Sequence, residues 1–382
     1  MRKVCIVVGS RANYSSIKSA MRAIQAHPQL ELQLVVGASA LLDRYGTSVN
    51  VIERDGFRPN ERVFMLIEGE TPSTMAKSTG LGLIELPTIF ERLRPDIVVT
   101  VGDRFETMAT ALAASYMNIP LAHTMGGEVS GTIDESIRHA VTKFAQIHFP
   151  ACADAAERII RLGERPDMVF NVGCPRIDLV AEVLSQPGDG LGGLFAEGVG
   201  EELNLEQPFV LVSQHSVTTE YGEGEHQITE TLAAVRAVGL PAVVLWPNAD
   251  AGSEEIARGI RKLRERDLDH GMHFFKNLPT ETYIRLMDRA ACLIGNSSSA
   301  IREGAFIGTP AVNIGTRQAG RQRGSNVLDV GHGSAEISDA IARQVAHGRF
   351  GSEPIYGDGR AGDRIADVLV DIEPTIQKRI TY

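Results

Sequence analysis

The chain has 382 residues, a net charge of -10, 43% apolar residues and 23% charged ones. That length exceeds one typical domain and makes two the natural division. The acidic balance leaves no basic stripe to offset a phosphate backbone, which argues against a nucleic-acid binder, and no apolar run approaches the length of a membrane span.

Strand-like and helix-like segments alternate along the chain. MRKVCIVVGSR opens basic and then apolar, but the run is short and no small-residue cleavage site follows, so it reads as a first strand. Val4 to Val8 ends in Gly9-Ser10-Arg11, and Tyr14 to Ala26 carries helical periodicity. Leu32 to Val36 and Ile97 to Val101 read as strands, the latter closed by Gly102-Asp103-Arg104 and followed by a helix through Tyr116. Ile119 to His123, Ile147 to Pro150 and Met168 to Val172 continue the strand series, with a helix from Ile137 to His148. Gln186 to Gln207 is Gly-rich and acidic with little periodicity and reads as a linker. The alternation then restarts with strands at Phe209 to Val212, Ala242 to Trp246, Met272 to Lys276, Cys292 to Gly295 and Ala311 to Ile314. Apolar runs separated by helices indicate parallel sheets covered on both faces.

The fold expected is therefore α/β, with two Rossmann-like domains at residues 1–185 and 208–382 and a linker at 186–207. The last helix, near Gly362 to Val370, is a candidate to pack back on the first domain. Ligands of such folds sit at the carboxyl ends of strands, which places the expected active site in the cleft between the domains. Neither half carries a GxGxxG or GxxxxGK[ST] motif. Cys5, Cys152, Cys174 and Cys292 form no CxxC pair, which argues against zinc and suits a reducing cytoplasm.

Three constellations carry chemistry. Gly9-Ser10-Arg11 before a helix offers close backbone approach, a helix N-terminus and an arginine fork to a phosphate. Gly295-Asn296-Ser297-Ser298-Ser299 opens another helix, and three serines exceed what one N-cap needs. Glu303 lies one turn further on, where it can accept both hydroxyls of a ribose, and Arg317, Arg321 and Arg323 follow in a Gly-rich loop suited to a diphosphate. The third is an acid/base set of Asp103, His123, Glu128, Asp134 and His215, of which the two histidines end strands.

With these motifs in place, the chain resembles the UDP-N-acetylglucosamine 2-epimerases, and within them the hydrolysing branch of sialic acid biosynthesis. The pieces that carry the resemblance are GSRANY at Gly9, GDRFE at Gly102, GGEVSGTIDESIRHAVTK at Gly126, QHSVTT at Gln214, PNADAGS at Pro247, GNSS at Gly295, GTRQAGR at Gly315 and YGDG at Tyr356. The resemblance implies a GT-B fold whose C-terminal half holds the nucleotide. It implies Arg11 and Ser15 as phosphate contacts, Ser297 and Ser298 as the diphosphate cradle, Glu303 on the ribose and Arg317 on the nucleotide. Asp103, Asp134 and His215 match residues around the sugar, and Arg104, Arg138 and Asn248 complete the substrate-binding candidates.

The implied reaction expels UDP from carbon 1 as the carbon 2 proton leaves, giving a 2-acetamidoglucal, to which water adds. From UDP-N-acetylglucosamine the products are UDP and N-acetylmannosamine. No metal or other cofactor is implied, and a cytoplasmic homodimer or homotetramer is expected. Many relatives carry a glutamate two residues past the strand-end histidine, and it is thought to act on the carbon 2 proton. Here the position is Met125, which cannot move a proton. Glu128, Asp134 or His123 then takes over, or the substrate differs. The alternatives are another nucleotide-linked 2-acetamidosugar (GDP-linked or diacetamido), a retaining GT-B glycosyltransferase, and a catalytically impaired nucleotide-sugar binder.

Overall fold

The structure is a computed structural model and describes residues 1–43, 47–69, 71–188, 190–247, 252–266 and 271–381. The chain folds into two compact units. Unit 1 takes Met1–Val129, Ile133–Leu179 and Tyr356–Tyr382, and unit 2 takes Ser130–Thr132 and Val180–Ile355.

Unit 1 is built on the strands β1 (Arg2–Val8), β2 (Leu30–Gly37), β3 (Glu61–Val63), β4 (Ile97–Val101), β5 (Leu121–Thr124) and β6 (Ile147–Phe149). All pair in parallel, in the order β3-β2-β1-β4-β5-β6, the doubly wound order of a dinucleotide-binding sheet. The helices between them are α1 (Arg11–Ser15), α2 (Lys18–Ala26), α3 (Ser48–Arg54), α4 (Pro72–Leu93), α5 (Phe105–Tyr116) and α6 (Asp134–Phe144), followed by α7 (Ala153–Arg161) and α8 (Pro175–Ser185). The strands read as unbroken runs of Val, Ile and Leu because helices cover both faces, so no position alternates to water.

Unit 2 repeats the plan. Its strands are β7 (Val199–Gly200), β8 (Val210–Ser213), β9 (Ala242–Leu245), β10 (Met272–Phe275), β11 (Cys292–Gly295), β12 (Ala311–Ile314) and β13 (Val327–Val330). Their order is β13-β12-β11-β8-β9-β10-β7, parallel except for β7, which pairs antiparallel with β10. The helices are α9 (Gly224–Val238), α10 (Ser253–Arg266), α11 (Thr280–Arg289), α12 (Ser298–Ile307) and α13 (Ser334–His347). Counted from β8, this is the strand order of unit 1 with one antiparallel edge strand added. The strand order reverses between β1 and β4 in unit 1 and between β8 and β11 in unit 2, and ligands of such sheets bind at these switch points.

Several elements differ from the sequence reading. The segment 186–207 is no bare linker, because it belongs to unit 2 and contributes β7 to its edge. Met168 to Val172 is not a strand. Pro166–Met168 forms a 3₁₀ turn, and Val169 makes a single isolated bridge to His148. Tyr14 to Ala26 is two helices, broken at Ser16 and Ile17. The sequence reading also passed over the 22-residue α4, whose Gly80, Gly82 and Pro87 look like helix breakers. Thr71 and Thr74 start it with a capping box. Gly82 is there for close packing, since a Cβ on it would lie 2.4 Å from Met65 Cε and 2.9 Å from Ala109 Cβ.

The last helix, α14 (Ala361–Asp371), falls in unit 1. Asp178 fastens it, accepting hydrogen bonds from the Ala361 and Gly362 amides at 2.9 and 2.7 Å and from Ser19 Oγ at 2.8 Å. Beyond α14, Lys378 Nζ donates to the carbonyls of Thr142, Lys143 and Ala145 at the end of α6 and pairs with the buried Glu164. A cation at a helix carboxyl end is favoured by the helix dipole. Among the described residues no helix is long and apolar enough to cross a membrane.

Candidate functional site

In unit 1 the chain leaves β1 through Gly9 and Ser10. Ser10 caps α1, its hydroxyl accepting from the Asn13 amide at 3.2 Å. The Asn13 carboxamide accepts from the Gly9 N–H and donates to the Val101 carbonyl, each at 3.2 Å, and so ties the ends of β1 and β4 together. Arg11 opens α1, half-buried. Ser15 is not presented to a ligand as expected. It is buried, and its hydroxyl turns back onto the carbonyls of Arg11 and Ala12 at 3.0 and 3.3 Å.

The loop after β4 carries Asp103 and Arg104. Arg104 Nε donates to Glu106 Oε1 at 3.1 Å, and Glu106 is 3% exposed. Asp103 Oδ2 accepts from Arg138 Nε at 2.9 Å and from Arg138 Nη2. The third arm of the same guanidinium, Nη1, donates to the Glu128 carbonyl at 2.7 Å. Arg138 is sealed inside α6, so it is a clamp on Asp103 and the Gly-rich turn rather than the open substrate contact expected from sequence. Asp103 keeps about a quarter of its side chain accessible, at 24%. Glu128 is buried, and Asp134 lies half-buried in the first turn of α6, where an acidic group suits the helix dipole.

His123 also differs from its expected catalytic place. It ends β5 fully buried, with Nε2 on the Gly102 carbonyl at 2.7 Å and Nδ1 3.2 Å from Thr142 Oγ1. A carbonyl only accepts, so Nε2 carries a proton. Burial pushes its pKa down to about 4, against a smaller upward effect of the Gly102 hydrogen bond. This has a measurable consequence. A ring that resists protonation when folded contributes stability above its ordinary pKa of about 6.5, and that stability is lost as pH falls toward 4. The loss is roughly 3 kcal/mol across that window. His148, its register partner on β6, is also shifted down by burial, so the readout is a difference. Urea midpoints between pH 7 and 4.5 fall less steeply for His123→Gln than for wild type, and equal slopes would show that His123 is not the source.

Met125 follows β5 in the left-handed backbone region, with φ of +61°, and is 8% exposed. Its amide donates to the Phe149 carbonyl at 2.9 Å. A non-glycine residue held there costs on the order of 1–3 kcal/mol, and such strain gathers at functional sites.

In unit 2 the switch point lies between β8 and β11. His215 follows β8, is 7% exposed, and has Nε2 3.5 Å from Ser213 Oγ. Ser297 caps α12, its hydroxyl accepting from the Ser299 amide at 3.4 Å and lying 2.8 Å from Ser299 Oγ. Ser299 turns to Tyr283, whose hydroxyl is 2.6 Å away, which leaves Ser297 and Ser298 at the half-exposed helix opening. Glu303 is buried further along α12. Arg317 Nη1 donates to the Asn296 carbonyl at 3.2 Å. Arg323 holds its own loop, through Asp329 and the carbonyls of Arg321 and Gln318. Asn248 lies outside the described residues.

The sequence reading missed four side chains here: Asn13, Glu106, Gln214 and Asn296. Gln214 precedes His215, is 1% exposed, and neither end of its carboxamide has a hydrogen-bond partner among the described residues. Ser216, on the other side of His215, has a buried hydroxyl in the same condition. Buried polar groups without partners are uncommon and call for an explanation, for which a polar ligand is one candidate. Their position at a strand end was the available signal. No group of three or more His, Cys, Asp or Glu that could hold a metal ion occurs among the described residues. All four cysteines are buried, and burial pushes the Cys5 and Cys292 thiols up to about 12.

Two Rossmann-like sheets of one strand order, each with polar groups gathered at its switch point, define a GT-B-type α/β protein. The same fold occurs in the crystal structure of UDP-GlcNAc 2-epimerase from Neisseria meningitidis bound to UDP-GlcNAc, with a TM-score of 0.80 at 17% identity, covering 97% of this chain and 100% of that one. Residues 22–370 match the family model of UDP-N-acetylglucosamine 2-epimerase, and the chain belongs to that family. It is 31% identical over 373 residues to the UDP-N,N'-diacetylbacillosamine 2-epimerase (hydrolyzing) of Legionella pneumophila, covering 97% of this chain and 96% of the relative. It is 30% identical over 340 residues to the GDP/UDP-N,N'-diacetylbacillosamine 2-epimerase (hydrolyzing) of Campylobacter jejuni, covering 88% and 85%.

Proposed function

We propose that this protein is a hydrolysing 2-epimerase of a UDP-linked 2-acetamidosugar, and that its preferred substrate is the diacetamido, 6-deoxy type named for the Legionella and Campylobacter relatives. This replaces UDP-N-acetylglucosamine, the first choice from sequence. The observation that carries the choice is Met125, an apolar side chain held in a strained turn where many relatives place a carboxylate. A thioether favours a methyl group over a hydroxyl, because a hydroxyl facing it lacks a partner.

In the reaction, the bond from carbon 1 to the diphosphate breaks as the carbon 2 proton leaves, giving the glycal and UDP. Water then adds its hydroxyl to carbon 1 while a proton returns to the opposite face of carbon 2. Asp103, aimed by Arg138, and Glu128 move the carbon 2 proton. Asp134 handles the water. His215 hands a proton to the departing diphosphate oxygen, Arg11 and Arg317 take the charge that builds there, and Ser297, Ser298 and Glu303 hold the nucleotide. Arg104 serves through its tie to Glu106 under the β4 loop.

Initial rates with UDP-N-acetylglucosamine and with its 2,4-diacetamido-6-deoxy counterpart test the choice. Wild type favours the diacetamido sugar by about 10-fold or more in kcat/KM, the usual scale for one apolar contact. Met125→Glu narrows or reverses that ratio. Equal kcat/KM for both sugars in wild type would remove the basis of the substrate assignment, and tight UDP binding without turnover of either would mark a binding protein.

A further inference from the structure

Asn296 follows β11 at the switch point of unit 2 and is completely buried. Its carboxamide closes a two-bond ring with the backbone of one residue. The His215 N–H donates to Asn296 Oδ1 at 2.8 Å, and Asn296 Nδ2 donates to the His215 carbonyl at 2.9 Å. Its own amide donates to the Ser213 carbonyl at 3.2 Å. Its carbonyl accepts from Arg317 Nη1 at 3.2 Å and from Gln318 Nε2 at 2.9 Å. Every polar group of this residue is thus used, and the loops after β8, β11 and β12 all meet on it. The close approach is built into the neighbouring backbone. Gly295 has φ of +125°, and a Cβ on it would lie 2.3 Å from the Ser213 carbonyl oxygen.

We propose that Asn296 is a positioning residue with two separable outputs. Its side chain sets the aim of His215, and its main-chain carbonyl sets the aim of Arg317. The separation follows from the bonding. A ring that engages both the N–H and the C=O of His215 fixes the two peptide planes flanking that residue, and hence the direction of its imidazole. No part of that ring reaches Arg317. The carbonyl that holds Arg317 and Gln318 survives any substitution of the Asn296 side chain. A group that serves only stability has no reason to affect turnover and nucleotide affinity unequally.

The proposal rests on the epimerase reading for its kinetic arm only. Asn296→Ala lowers kcat at least about 30-fold on a UDP-linked 2-acetamidosugar, while the Kd for UDP by calorimetry stays within about 3-fold, on the scale expected when a proton-handling group is misaimed. Gln318→Ala leaves the carboxamide ring on His215 intact, and exchange in peptides covering 213–218 then stays near wild type. Retained UDP binding also shows that each variant is folded. Hydrogen exchange on the full chain supplies an arm that needs no activity. Asn296→Ala speeds exchange in peptides covering 213–218 and leaves those covering 316–320 near wild type. Parallel losses of kcat and UDP affinity in Asn296→Ala, or unchanged exchange at 213–218, would overturn the proposal. An inactive wild type with the exchange pattern intact would instead count against the epimerase reading and leave the clamp standing.

Discussion

Arg138→Met lowers turnover by about 10²–10⁴-fold, the range expected when a general acid or base loses its aim. The reason is geometric. One guanidinium holds the Asp103 carboxylate through Nε and Nη2 and the Glu128 carbonyl through Nη1, so a single side chain sets both the acid and the turn that follows β5. Removing one partner of a sealed ion pair costs about 3–5 kcal/mol, because the other charge is left without compensation. Asp103 is 24% exposed, so water relieves part of that cost and the loss sits at the low end. For a protein of this size that corresponds to a fall in melting temperature of roughly 3–5 °C. Arg138→Lys separates the two effects. The lysine keeps a positive charge for Asp103 but has no rigid fork to reach Asp103 and Glu128 together. It retains most of the stability and still loses at least about 10-fold in turnover. Thermal melts and kcat measured side by side check this, and a fully active Arg138→Met enzyme would remove Asp103 from the chemistry.

The second large effect concerns UDP. A ligand that binds only the folded state stabilises it by about 2.7 kcal/mol at one hundred times its Kd. At that concentration UDP raises the melting temperature of wild type by roughly 3–5 °C. Ser297→Ala combined with Glu303→Ala loses most of that increment, since the helix opening and the carboxylate proposed for the ribose both go. Glu303 is 2% exposed, so the double variant also melts lower without ligand. The increment on adding UDP is therefore the quantity to compare. An unchanged increment would place the nucleotide elsewhere.

The polar groups of the candidate site were legible in the sequence because they follow directly where apolar runs stop. Gly9-Ser10-Arg11, Gly102-Asp103-Arg104 and Gly295-Asn296-Ser297 all announce themselves as polar residues after Val- and Ile-rich strands. Which of them point outward was not legible. His123, Arg138 and Ser15 have the residue types of a site, yet a sheet, a helix and a carbonyl turn them inward. Only coordinates distinguish a guanidinium that meets a phosphate from one that meets Asp103. Asn13 and Asn296, though inside these motifs, were given no role of their own for the opposite reason. Asparagine at a loop start reads as turn chemistry, and its long-range partners, Val101 and His215, are set by strand order. The strands β3, β7 and β13 were missed because they are short or edge-placed, and short edge strands need little apolar sequence. The long α4 was missed because its glycines and proline break a local rule that packing overrides.

The central claim is a hydrolysis coupled to inversion at carbon 2, and proton NMR in heavy water reads both events at once. With a UDP-linked 2-acetamidosugar the expected result is free UDP, a free sugar of inverted carbon 2 configuration, and one deuterium at that carbon. A product still linked to UDP, or a free sugar that keeps its carbon 2 proton, would contradict it.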